Sequence, residues 1–146
     1  KLARTIFISR SSSSAVKQLQ LIEHLLLKSE RLILFPEGTS SDGRKVLPFK
    51  PSLFEAPIRA DAIVQPLTIR YEKINGMPVD RRSKPLLAWY GAMDLLPHLW
   101  QSLSVGTITI KIVFHEPIRA IVFSNRKQLA KHCQTIIALE SEKPNR

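Results

Sequence analysis

Cysteine is nearly absent. Cys133 stands alone in 146 residues, so no internal disulfide can form, which fits a reducing compartment. A lone cysteine in a helical stretch reads as a packed thiol rather than a nucleophile. No Cys/His cluster has metal-ligand spacing, so no metal site is expected. No run approaches the ~18 apolar residues of a membrane span, and no secretory leader opens the chain. Any membrane contact by this stretch is therefore expected to be peripheral. Glycine is sparse too, at five residues. None of them falls in a G-x-x-x-x-G-K-S/T phosphate loop or a G-x-S-x-G nucleophile elbow, which excludes those two chemistries. Acidic residues are few: 12 Asp/Glu against 22 Lys/Arg leave a net charge of +10. The excess is shared equally between the two halves, not gathered in a tail. Such a charge favours polyanions: nucleic acid, an anionic membrane surface or phosphorylated substrates.

The rest of the composition is ordinary. Apolar residues make up 44% and charged residues 23%, which fits one folded domain over 1–146 with a real core. The chain opens on Lys1 inside a strand-like run, which reads as an interior start.

The apolar, β-branched run over 3–9 predicts a buried strand. Ser11 to Ser14 offer N-caps, and Val16, Leu19, Ile22 and Leu26 recur at helical spacing. Arg31 to Phe35 is a short apolar run and a second strand candidate, stopped by Pro36. A loop follows to Pro51, then a short helix over 52–58. The stretch 62–71 predicts a strand limited by Pro66 to an edge or a bulge. A polar turn, a weaker strand over 85–90 and a helix over 93–103 come next, with Pro97 needing a first-turn position. Ile108, Ile110, Ile112 and Phe114 alternate with Thr107, Thr109, Lys111 and Val113, a half-buried strand. A helix over 125–140, capped by Ser124 or Asn125, ends the chain, with fraying from Ser141. Helices alternating with strands predict an α/β fold: a mixed β-sheet flanked by helices, without repeats or linkers.

The loop after the second strand candidate is the most informative. Phe35-Pro36-Glu37-Gly38-Thr39-Ser40-Ser41 brings a carboxylate, a glycine and three hydroxyls to the end of a predicted strand. Loops there carry chemistry in α/β folds. Gly38 permits close backbone approach, the hydroxyls and N–H groups can hold phosphate oxygens, and Glu37 can orient a base or accept from a substrate hydroxyl. Taken by its residues alone, the stretch reads more readily as a polar turn.

These seven residues match the F-P-E-G-T-R-S block of glycerolipid acyltransferases at six positions. Thr5-Ile6-Phe7-Ile8-Ser9-Arg10 resembles the preceding G-x-x-F-I-x-R block of that family, and Ile63-Val64-Gln65-Pro66-Leu67 resembles the following hydrophobic V-P-V block. The stretch from Trp89-Tyr90-Gly91 through Asp94-Leu95-Leu96-Pro97-His98 looks like a branch acting on 1-acylglycerol-3-phosphate or lyso-ornithine lipid. By these blocks, in the family's order, the chain resembles a C-terminal part of the PlsC-like lysophospholipid (1-acylglycerol-3-phosphate O-) acyltransferase family.

The resemblance implies direct acyl transfer from acyl-ACP or acyl-CoA to a lysolipid hydroxyl, without a bound cofactor. A histidine of an H-x-x-x-x-D block would act as general base. None of His24, His98, His115 and His132 has an aspartate five residues on, so no catalytic base is expected in this chain; it is expected upstream. Transfer by this stretch alone is then expected to be negligible. Arg10 would bind acceptor phosphate, and Phe35, Pro36, Glu37, Gly38, Thr39, Ser40 and Ser41 would line the acceptor site. Two positions depart from the pattern. Ser40 replaces the family arginine, with Arg44 or Lys45 as stand-ins for its charge, and Arg4 replaces a glycine. The implied setting is the cytoplasmic face of the inner membrane, with acyl carrier protein or CoA, a lysolipid and an anionic membrane surface as partners.

Other features read two ways. Asp94 and His98 share a helix face, as a surface pair or a mimic of a His-Asp pair. Trp89, Tyr90 and Trp100 read as core residues or as interface anchors. Arg81, Arg82 and Lys84 form a solvated basic loop or a contact for anionic headgroups. The competing functions are a basic nucleic-acid-binding domain and a non-catalytic membrane-surface domain. Against the first, there is no nucleic-acid motif and no aromatic–basic interleaving, and no nucleic-acid partner is expected.

Overall fold

The computed structural model describes residues 12–80 and 82–144. The predicted strand over 3–9, together with Arg10 and Arg81, lies outside the described residues. Helix α1 (Ser12–Leu27) forms where the apolar spacing predicts, and its Ile22 is buried. The helix stops because Ser29 adopts a left-handed φ of 61°. The Glu30 N–H then donates to the Leu25 carbonyl at 3.0 Å and the Ser29 N–H to Leu26 at 2.9 Å, closing the last turn.

Arg31 to Phe35 does not become a strand. A strand needs a hydrogen-bonded neighbour as well as an apolar pattern, and among the described residues no ladder reaches this run. Ile33 is left 81% exposed. The loop and short helix that follow do form. A 3-10 turn (Pro51–Phe54) leads into α2 (Glu55–Arg59), against which α1 packs.

Pro66 divides the next predicted strand in two. Strand β1 (Ile63–Val64) pairs with β5 (Ile118–Arg119), while β2 (Leu67–Ile74) is central to an antiparallel sheet between β3 (Met77–Pro78) and β4 (Ile108–Phe114). Proline has no N–H to give a ladder, so one pairing ends there. Its carbonyl still accepts from the His115 N–H at 3.0 Å, which opens the next. Asn75 and Gly76, with φ of 50° and 80°, make the tight turn from β2 to β3.

The predicted strand over 85–90 is a 3-10 turn (Lys84–Leu87) followed by irregular chain. The Asp80 carboxylate accepts from the N–H groups of Arg82 at 3.0 Å and Ser83 at 2.8 Å, which starts a turn, and Pro85 cannot donate to a ladder. Helix α3 (Leu95–Ser104) holds Pro97 in its first turn, as required. Helix α4 (Arg126–Ser141) is capped by Asn125, whose side-chain oxygen accepts from the Lys127 and Gln128 N–H groups at 3.0 and 3.1 Å.

One core cluster joins Phe49, Leu53 and Phe54 to Ala120, Leu129, Ala130 and Cys133. Burial pushes the Cys133 thiol up to about 11, so it is an inert packed group. Helix α4 also lies against β2. Arg70 of β2 is buried, 3.4 Å from Glu140, and donates to the carbonyls of Lys143 and Pro144 at 2.8 and 3.1 Å. Residues 141–144, where fraying is expected, are thereby tied to the sheet. The face that α4 covers carries Thr68 and Arg70, so the other face carries the aliphatics. Leu67 pairs with Phe114, Ile69 with Ile112 and Tyr71 with Ile110. Strand β4 is where the alternation predicts, but its isoleucine face is the open one: Ile112 is 53% and Phe114 66% exposed. Among the described residues no helix is long and apolar enough to cross a membrane.

Candidate functional site

The segment 36–50 leaves and returns to one place. The Lys50 N–H donates to the Pro36 carbonyl at 2.9 Å, making a neck. Phe49, beside it, is buried in the core and stacks on Phe54 with ring centroids 6.2 Å apart. The neck is thus held by the hydrophobic core, and the loop beyond it is compact in the manner of an Ω-loop.

Glu37 closes the loop from inside. Its Oε2 accepts from the Leu47 N–H at 3.1 Å, ten residues on. Partial burial raises its pKa above the ordinary 4.5, and the Leu47 N–H offsets part of that rise. Gly38 follows with φ +63°, and a Cβ there would lie 2.6 Å from Lys50 Nζ. No larger residue fits without displacing that lysine. Lys50 Nζ is 3.5 Å from the Gly38 carbonyl oxygen.

The remaining predicted residues divide by position. Phe35 is exposed at the entrance, and Thr39 and Ser40 are exposed on the turn. Ser41 is half-buried, and its hydroxyl accepts from the Gly43 N–H at 3.3 Å. Arg44 is drawn to Asp42, with Nε 3.5 Å from its carboxylate, while Lys45 is exposed. Arg10 lies outside the described residues. The structure therefore brings Glu37, Gly38 and Lys50 together, and it holds Arg44 in a local pair. Sequence reasoning passes over Lys50. The available signal was a lysine beside an aromatic residue at the second end of a loop bounded by Pro36 and Pro51.

The Asp94–His98 pair does not form a side-chain contact of the kind weighed from spacing. Asp94 precedes α3, and its carbonyl accepts from the His98 N–H at 3.3 Å. The His98 ring is buried, with Nδ1 3.5 Å from the Ser102 hydroxyl and no partner for Nε2 among the described residues. His115 Nε2 is 2.8 Å from the buried Thr68 hydroxyl, a link between β2 and the end of β4.

Residues 1–70 match the family model described as Acyltransferase. A lyso-ornithine lipid O-acyltransferase of Brucella abortus is 39% identical over 138 residues, covering 89% of this chain and 52% of that protein. One of Rhizobium meliloti is 36% identical over 141 residues, covering 90% and 48%. A 1-acyl-sn-glycerol-3-phosphate acyltransferase of Neisseria gonorrhoeae is 32% identical over 113 residues, covering 77% and 42%. The chain spans about half the length of the curated relatives it matches. No solved structure matches it. The matched block with its built Glu-Gly-Thr-Ser turn and the relatives aligned over most of these residues agree, and the chain belongs to the PlsC-like acyltransferase family.

Proposed function

We propose that this chain supplies the acceptor-binding part of a lysolipid O-acyltransferase, with lyso-ornithine lipid as the favoured acceptor. The observation that carries the reading is the loop 36–50 of the family block, with its neck set in the core and the Lys50 ammonium beside the Gly38 carbonyl. In the reaction, the acceptor hydroxyl oxygen bonds to the thioester carbonyl carbon and the C–S bond breaks. The hydroxyl proton passes to a base and then to the departing thiolate of acyl-ACP or acyl-CoA. The base is a histidine of an H-x-x-x-x-D block, which these residues do not contain.

The chain's own residues bind and orient the acceptor. Glu37 fixes the loop, Thr39 and Ser40 present exposed hydroxyls, and Lys50 offers one cation to a headgroup carboxylate or phosphate. Ser40 in place of the family arginine lowers the positive charge at the turn. That favours a zwitterionic headgroup over a phosphate monoester.

The test is transfer of a labelled acyl group to lyso-ornithine lipid and to 1-acylglycerol-3-phosphate. It is run with this chain and with a longer protein in which it follows an H-x-x-x-x-D segment. The longer protein should acylate lyso-ornithine lipid, and this chain alone should not. E37A should lower kcat/KM about tenfold or more, while E37Q, whose amide oxygen can still accept from Leu47, should lose less. K50M should raise the acceptor KM about tenfold with little change in kcat. Failure of the longer protein on both lysolipids would remove the transferase reading. Turnover by the 146-residue chain alone would remove the assignment of the base to another segment.

A further inference from the structure

Helix α3 is built unlike the other helices. None of its ten residues is an Asp, Glu, Lys or Arg. Leu96, Leu99, Trp100 and Leu103 recur at i, i+3, i+4 and i+7 and so form one stripe. That stripe faces outward: Leu96 and Trp100 are each 77% exposed and Leu103 70%. The inward side is marked by buried His98 and its neighbour Ser102, roughly opposite on the helix. Ser104 lies on one flank of the stripe and exposed Leu95 on the other. Upstream in the chain, separated from the helix by residues 85–94, Arg82 and Lys84 belong to a turn that the Asp80 carboxylate holds in shape.

We infer that α3 is a docking helix for an anionic lipid surface, lying flat with Leu96, Leu99, Trp100 and Leu103 in the headgroup–acyl boundary. Three observations favour lipid over protein as the occupant. The stripe is one face of a helix only ~15 Å long, a few side chains wide. It falls well short of the roughly 800 Å² per partner that a stable protein interface needs. The chain carries +10, so a second copy is repelled while anionic headgroups are attracted. An apolar stripe with tryptophan, on an uncharged helix of a strongly basic chain, suits a bilayer boundary, where apolar insertion and headgroup attraction add. The inference deepens the lysolipid reading by naming how the chain meets the bilayer that holds its acceptor.

The test uses the whole 146-residue chain and vesicles of phosphatidylglycerol and phosphatidylethanolamine. There are two tryptophans, so W89F leaves Trp100 as the single reporter. Its emission should shift to the blue on adding vesicles. Lipids brominated on the acyl chain should quench it, and aqueous acrylamide should lose access. L96Q/L103Q should lower the partition coefficient about tenfold or more with an unchanged far-UV circular dichroism spectrum. R82Q/K84Q should weaken binding severalfold at low salt and little at high salt. Sedimentation of the chain with vesicles while Trp100 stays quenched by acrylamide would overturn the inference. So would loss of binding in I69T/I112T with α3 intact, which moves the contact to the open sheet face. A dimer in sedimentation velocity that L96Q/L103Q dissociates, with vesicle binding untouched, would also overturn it in favour of a second copy. No acyl donor is present, so transfer can fail while docking stands, and the reverse.

Discussion

Leu129 and Ile112 are both aliphatic residues in regular elements, yet Leu129 is fully buried and Ile112 is 53% exposed. Around Leu129, helix α4 meets Phe54 of the 3-10 turn and Ala120, and one apolar layer closes on another. Around Ile112, β2 and β4 align Leu67, Ile69, Tyr71, Ile110 and Phe114 on a face that no described element covers, because α4 took the opposite face. Residue type and regular periodicity, helical around Leu129 and alternating around Ile112, are the same kind of signal in both places. What separates them is a second layer, and a second layer is a property of the whole chain path rather than of the strand.

The comparison is sharpest in stability. L129A should cost about 2–5 kcal/mol, since it opens a cavity in a closed core. I112A on the open face should cost under about 1 kcal/mol. Urea melts of both variants check this, and equal losses would mean that the sheet face is closed in solution.

The next difference concerns charge on the covered side of the sheet. A hydrogen bond from Lys143 holds the Glu140 carboxyl below its ordinary 4.5, and Arg70 adds to the effect against some burial. A depressed carboxylate stabilises the native state fully above its unfolded pKa, and the benefit is lost as pH falls through the native value. Thermal melts of the unsubstituted chain should therefore weaken as pH drops below 4.5, and E140Q should show a flatter slope there. Parallel slopes for the two proteins would show that Glu140 is not the group responsible.

The smallest effect is at the open face itself. I69T/I112T should leave stability within about 0.5 kcal/mol per site and reduce the concentration-dependent association expected at high salt, where the +10 charge is screened. Light scattering across a dilution series reads this, and unchanged scattering would show that the face does not drive contacts between copies.

Much of the local structure was legible. The spacing of Val16, Leu19, Ile22 and Leu26, the Pro51 entry, the alternation over 107–116 and the Asn125 cap each marked a real element, because each is a short-range pattern. Arg31 to Phe35 and the stretch over 85–90 were not legible. Strand pairing depends on a distant neighbour in the first, and an Asp80-centred turn with Pro85 overrides weak strand preference in the second. In the candidate loop, the block marked the turn that holds Glu37 and Gly38, but the inward contact of Glu37 was not legible: its partner Leu47 is ten residues away. Lys50 was hidden for the same reason. The loop bends back on itself, and only the Pro36–Lys50 closure brings its ammonium to Gly38.

That closure separates two kinds of freedom. Residues 39–45 hang beyond a clasp whose strength comes from Phe49 in the core, so their chemistry can change without loosening the fold. The residue at position 40 can be exchanged while folding is governed elsewhere. The loop is in that sense an adjustable fitting on a fixed mount, open to change one residue at a time.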